Sequence, residues 1–190
     1  MTTPRPGSPL VGVLRVARGR PDGIAQFGDT PRAFLVSLAP LATLQALPSL
    51  WLLSQGNAGG AAVNLLAALV ALLAPPVLSH TLAQTWGRGA EWPRYAVAAN
   101  WSVWAIALFA VGLGPILALL AALGLLLDLN SVLRTAVLAI GGYTLWLQWF
   151  IVRHALALPA WPALAFSLLV NLGTLLLVAL PQLLAGGGEA

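Results

Sequence analysis

The chain has 190 residues, of which 59% are apolar and only 7% charged, with a net charge of +4. Soluble domains carry roughly 25% charged residues, so this composition excludes a water-soluble globular protein and places the chain in a bilayer. Cysteine is absent, which removes disulfides, thiol catalysis and Cys-ligated metals from consideration.

Residues 1–31 are too polar to cross a membrane. Pro9 and Pro21 bracket a stretch with Leu10, Val13, Leu14 and Ala17 on one side, which predicts a short interfacial helix. Arg5, Arg15, Arg18, Arg20 and Arg32 concentrate positive charge there. Such a cluster suits anionic lipid headgroups at a cytoplasmic face, because no base-stacking pattern that would suit nucleic acid accompanies it. Arg15, Arg18, Arg20 and, further on, Arg153 are the expected anionic-lipid contacts. The polar region also outruns an ordinary n-region, so a cleaved signal peptide is not expected.

A transmembrane bundle is expected over residues 32–184. Asp29 or Thr30 caps the first span, with Pro31 at a position whose amide would be unpaired anyway. The apolar runs predict spans at about 33–53, 61–82, 95–112, 132–152 and 161–184, with a flexible tail at 185–190. The third run continues to Leu127. At ~1.5 Å per residue it would make about 50 Å of helix, too long for one straight crossing. Gly112-Leu-Gly-Pro115 is the expected break, followed by a tilted, interfacial or re-entrant extension to residue 127. The fold class is all-α: a polytopic bundle of about five spans with a short N-terminal interfacial helix.

Helical periodicity sorts side chains onto faces. On the fourth span Gly141, Thr144 and Gln148 form the expected packing face, with Trp146 and Phe150 toward lipid. The fifth offers Ser167, Asn171 and Thr174, the second Asn64, Ala67, Ala71 and Pro75, and the extension Gly114, Ala118 and Ala122. Trp86, Trp92, Tyr95 and Trp161 fall where amphipathic rings anchor at the membrane surface.

An intramembrane polar cluster of His80, Asn100 and Gln148 is expected. Asn100 lies six residues beyond Arg94 and Gln148 five before Arg153, about 9 and 7.5 Å deep. Two amides at similar depth on adjacent helices are expected to face one another, because hydrocarbon cannot satisfy their donors and acceptors; the alternative is that each reaches separately to the interface or to a backbone carbonyl. Nearby, Pro75 and Pro76 deprive the carbonyls of Ala71 and Leu72 of their helical donors.

The predicted spans hold no carboxylate, the chain has two histidines, and no nucleophile-elbow, zinc-protease or phosphate-loop motif occurs. No catalytic residue, cofactor site or metal site is therefore assigned. The leading expectation is a non-enzymatic component that organises membrane or assembles with other membrane proteins or with itself. A small transporter or channel subunit is the alternative.

The stretches RGRPDG, FGDTPRAFLVSLAP, YAVAANW and LWLQWFIVRHAL resemble small, uncharacterised five-span bacterial inner-membrane proteins of a loosely Yip1-like kind. The resemblance implies five spans and a cytoplasmic N-terminus, and it carries no substrate or catalytic residue. Arginine placement gives the same orientation: in a five-span arrangement only Arg134 falls on the side opposite the other eight. A periplasm-active reporter fused after Ala190 is therefore expected to be active. Activity there of a cytoplasmic reporter alone would overturn the topology.

Overall fold

A computed structural model describes residues 7–125 and 128–186, and every regular element among them is helical. Arg5, the end of the expected extension at Leu127 and the tail from residue 187 lie outside the described residues. A short α1 (Pro9–Val16) and a 3-10 turn (Pro21–Gln26) precede α2 (Pro31–Ser54), α3 (Ala58–Thr85), α4 (Trp92–Ala122), α5 (Leu129–Ala155) and α6 (Ala160–Gly186). The last five are long and apolar enough to cross a membrane, so the protein is a multi-pass membrane bundle.

Each span begins and ends for a local reason. Thr30 Oγ1 accepts from the Ala33 amide at 3.1 Å and caps α2, while Asp29 instead pairs with Arg94 at 2.6 Å. Asn57 caps α3 through the Gly60 amide at 2.8 Å. Asp128 caps α5 and exchanges bonds with Ser131, whose amide and hydroxyl hold the carboxyl below its ordinary range. Helices α1 to α4 stop at Gly19, Gly56, Gly87 and Gly124, all with φ near +70°. In each case the following amide bonds back across the last turn, as Leu125 N does to Leu120 O at 3.0 Å.

The expected break at Gly112–Pro115 does not occur. Helix α4 runs unbroken to Ala122, and Gly124 is the residue that ends it. Pro115 costs one backbone bond, whereas unwinding there would strand several amides in hydrocarbon. At 31 residues α4 is about 46 Å long, so it tilts or projects from a core of roughly 30 Å. Helix α6 likewise continues to Gly186, two residues past the expected span end.

The five spans form a closed ring. Helix α2 packs on α3 and α4, α3 on α6, α6 on α5, and α5 on α4. Consecutive α3 and α4 touch only lightly, so the connection between them crosses one mouth of the ring. That mouth carries Arg32, Arg88, Arg94 and Arg153, together with the N-terminal segment. Among the described residues only Arg134 lies toward the other end.

The N-terminal segment departs from its expected pose. Gly12, Val13 and Val16 are buried with Ile24 and Phe27 of the following turn, and Leu10 and Leu14 are exposed. The chain doubles back at Gly19, and the resulting hairpin packs along α4 and α5. Its seat is an aromatic strip on α5 in which Tyr143, Trp146 and Phe150 stack at centroid spacings of 5.7 and 5.5 Å. Tyr143 Oη donates to Ala17 O at 3.3 Å. Phe150, expected toward lipid, is therefore 6% exposed, while Trp146 keeps an outer edge. Gly141, expected at a seam, is open, as is the stripe Gly114, Ala118 and Ala122.

Helix α5 ends like the others but without glycine. Ala157 adopts φ +50°, and Leu158 N reaches Arg153 O at 3.1 Å. The left-handed conformation costs a residue with a Cβ roughly 1–2 kcal/mol, partly offset by the greater chain entropy that glycine loses. Ala157→Gly is expected to raise stability by about 0.5–1 kcal/mol, read from the unfolding midpoint in detergent. A lower midpoint would show that the Ala157 methyl contributes packing.

Candidate functional site

A cavity of about 200 Å³ lies inside the ring, and all five spans contribute to its wall. Helix α2 supplies Leu41 and Gln45. Helix α3 supplies Ala71, Leu72 and Pro75, so the two carbonyls that lose their donors to the proline pair belong to wall residues. Helix α4 contributes Tyr95, Asn100 and Ser102, helix α5 Gln148, and helix α6 Ser167, Asn171 and Thr174. None of the lining residues carries a carboxylate, imidazole, thiol or cation.

Hydrogen-bond direction gives the cavity its character. The hydroxyls of Ser102, Ser167 and Thr174 donate back to the carbonyls of Ala99, Ala163 and Val170 at 2.6, 2.9 and 2.8 Å. Their protons are spent inside their own helices, and their lone pairs remain. Asn171 Nδ2 donates to Gln148 Oε1 and to Ser167 O. Asn100 Nδ2 donates to Ser37 Oγ at 2.9 Å. Gln45 Oε1 is buried and has no hydrogen-bond partner among the described residues. A buried amide oxygen left unpaired costs about 1–3 kcal/mol, and Gln45 is the α2 carboxamide in the cavity wall. The wall bears no charge and presents spare hydroxyl lone pairs beside the N–H groups of the Gln45 and Gln148 carboxamides.

An aromatic layer separates the cavity from the arginine-bearing mouth. Phe166 is fully buried and receives Tyr95 and Trp86 edge-on, each at 5.6 Å between centroids. Trp92 packs on Phe34 at 5.5 Å and on His80 at 4.7 Å, and its Nε1 donates to Ser79 Oγ at 3.0 Å. Three of the four rings expected as lipid anchors thus turn inward: Trp86 at the end of α3, and Trp92 and Tyr95 in the first turn of α4, pack against Phe166, Phe34 and His80. Trp161 alone stands out to the surroundings, at 81% exposure.

The expected trio is only partly assembled. Asn100 and Gln148 line the same cavity yet do not bond, since Ser37 and Asn171 take their side chains instead. The two partners come from α2 and α6, the neighbours of α4 and α5 on the ring. His80 is exposed, faces Gln84 at 3.1 Å and lies off the cavity. Ser167, Asn171 and Thr174 sit where their periodicity put them. Gln45 and Ser37 went unnoticed, although Gln45 is the one carboxamide inside the α2 apolar run. Of the expected lipid contacts, Arg15 and Arg20 share Asp22 at 3.0 and 3.1 Å, Arg18 is exposed, and Arg153 lies over the Trp149 ring at 5.3 Å.

Comparison of the chain with protein-family models, with curated proteins and with solved structures finds no match in any of the three.

A double-mutant cycle of Gln148→Leu and Asn171→Leu is expected to give a coupling of about 0.6 kcal/mol, the mean for hydrogen bonds between membrane helices. The same cycle with Asn100→Leu and Gln148→Leu should give none. Equal couplings in denaturant titrations would mean that the amide pairing has been misassigned.

Proposed function

We propose that the protein is a small, non-enzymatic membrane carrier or channel component that accepts a neutral, donor-rich solute such as water, urea or a short polyol. The observation that carries this reading is the polar, uncharged cavity built by all five spans, whose wall offers hydroxyl lone pairs and the carboxamides of Gln45 and Gln148. At about 30 Å³ per molecule, 200 Å³ has room for roughly six waters or one solute of a few heavy atoms. Proton- and sodium-coupled carriers place a carboxylate near the midplane. None lies in a span among the described residues, which favours passive passage. The wall also lacks the acid, base and nucleophile that a reaction would need.

In this reading the membrane is a bacterial inner membrane and the arginine-rich mouth faces the cytoplasm, as the charge asymmetry favours. Arg18 and Arg153 are available to anionic headgroups on that side, and Arg15 and Arg20 contribute less because they share Asp22. A second reading, assembly with other membrane helices, is supported by the open faces of α4 and α5. A Cβ added at Gly112, Gly114, Gly141 or Gly142 would meet nothing within 4 Å, so another backbone can approach closely.

Proteoliposomes containing the protein should swell faster than empty ones in osmotic gradients of urea or glycerol, and Gln45→Leu should remove most of the difference. Identical swelling with and without protein, for water as well as both solutes, would sink the carrier reading. Stoichiometric recovery of another membrane protein in mild detergent would then favour assembly.

A further inference from the structure

A second cavity, of about 700 Å³, opens on the outside of the ring between the N-terminal segment, α2 and α4. Its wall changes character with depth. At the top lie Arg32 and Arg94, each within the first turn of its span, with Asp29 between the helices. Asp29 pairs with Arg94 at 2.6 Å, whereas Arg32 is exposed and forms no ion pair among the described residues. Two guanidinium groups face one carboxylate, so the top is positive. Below them the wall is Val36, Val97 and Trp101. Val36 is four residues beyond Arg32 and Trp101 seven beyond Arg94, about 6 and 10 Å deeper along their helices.

We propose that this crevice binds one anionic phospholipid, its phosphate against Arg32 and Arg94 and the start of an acyl chain along Val36, Val97 and Trp101. Charge selects the occupant. A guanidinium meets phosphate through paired N–H donors, and basic pockets between spans on the cytoplasmic side suit anionic headgroups. The apolar lower wall separates a lipid from a soluble phosphate, which would gain nothing from Val36 or Trp101. The site is distinct from the exposed arginines of the N-terminal segment. It holds one molecule in a shaped crevice and does not depend on the charge of the whole surface. It is independent of the solute cavity, whose wall shares no residue with it.

The test is native mass spectrometry of the full chain released from mild detergent, with phosphatidylglycerol or phosphatidylcholine added in turn. One phosphatidylglycerol should be retained in preference to phosphatidylcholine. Arg32→Gln should weaken that retention about fivefold, the factor one arginine near an anionic headgroup supplies, and Arg18→Gln should not. Arg32 forms no ion pair among the described residues, so this variant keeps the Asp29–Arg94 pair. Trp101→Ala should weaken both lipids alike. Equal retention of the two lipids by the unaltered chain would overturn the proposal. So would an undiminished adduct in Arg32→Gln, or displacement of the lipid by millimolar inorganic phosphate, which would mark a headgroup site without a chain groove.

Discussion

Hydrocarbon offers no hydrogen bonds, and the architecture follows from where each polar group finds its partner instead. Backbone amides are served by unbroken helices, which is why α4 passes through Pro115 without unwinding. Side-chain amides must be served by neighbouring spans, and each pairing fixes two helices. Asn64 with Ser49 joins α3 to α2, Asn100 with Ser37 joins α4 to α2, and Asn171 with Gln148 joins α6 to α5. Three amide contacts thus define three of the five seams of the ring. Each contributes little net stability, yet each specifies which helix is the neighbour, a choice that apolar contact with lipid-like side chains leaves open.

The ring's interior is polar for the same reason. Residues placed to hold seams converge on the axis, and their hydroxyl protons are absorbed by the carbonyls one turn back. What remains at the centre is an uncharged mixture: spare oxygen lone pairs, and the N–H groups of the Gln45 and Gln148 carboxamides. The spare hydroxyl lone pairs in the wall are therefore a consequence of how serine and threonine sit in helices.

Much of this was legible in the sequence. Hydropathy and arginine spacing mark five spans, and periodicity places Ser167, Asn171 and Thr174 on one inward face because polar residues on a span have few other places to go. Helix neighbours were not legible. Adjacent order in the chain suggested that Asn100 and Gln148 would meet across α4 and α5, but a ring gives every helix two neighbours, and both amides chose the other one. The aromatic rings misled for a related reason. Tyr143, Trp146 and Phe150 have the composition of a lipid-facing strip, and it is Phe109 of α4 and the chain doubling back at Gly19 that pack against it. The stop of α4 was readable in principle: Gly124 follows the helix directly, while the more conspicuous Gly-Leu-Gly-Pro sequence lies well inside it.

The order of helices around the ring has a bearing on biosynthesis. As the chain emerges, α2 and α3 can pair at once, and α4 can find α2, but the contacts α3 with α6 and α5 with α6 wait for the last span. Until α6 enters the bilayer, Gln148 faces a gap where Asn171 will stand, and the aromatic layer lacks Phe166, its buried centre. With α2 to α5 alone in the bilayer, the Gln148 carboxamide therefore lacks its Asn171 partner, a cost that hydrocarbon cannot offset. Integration of α6 is the event that completes the interior, because it closes the ring between α3 and α5.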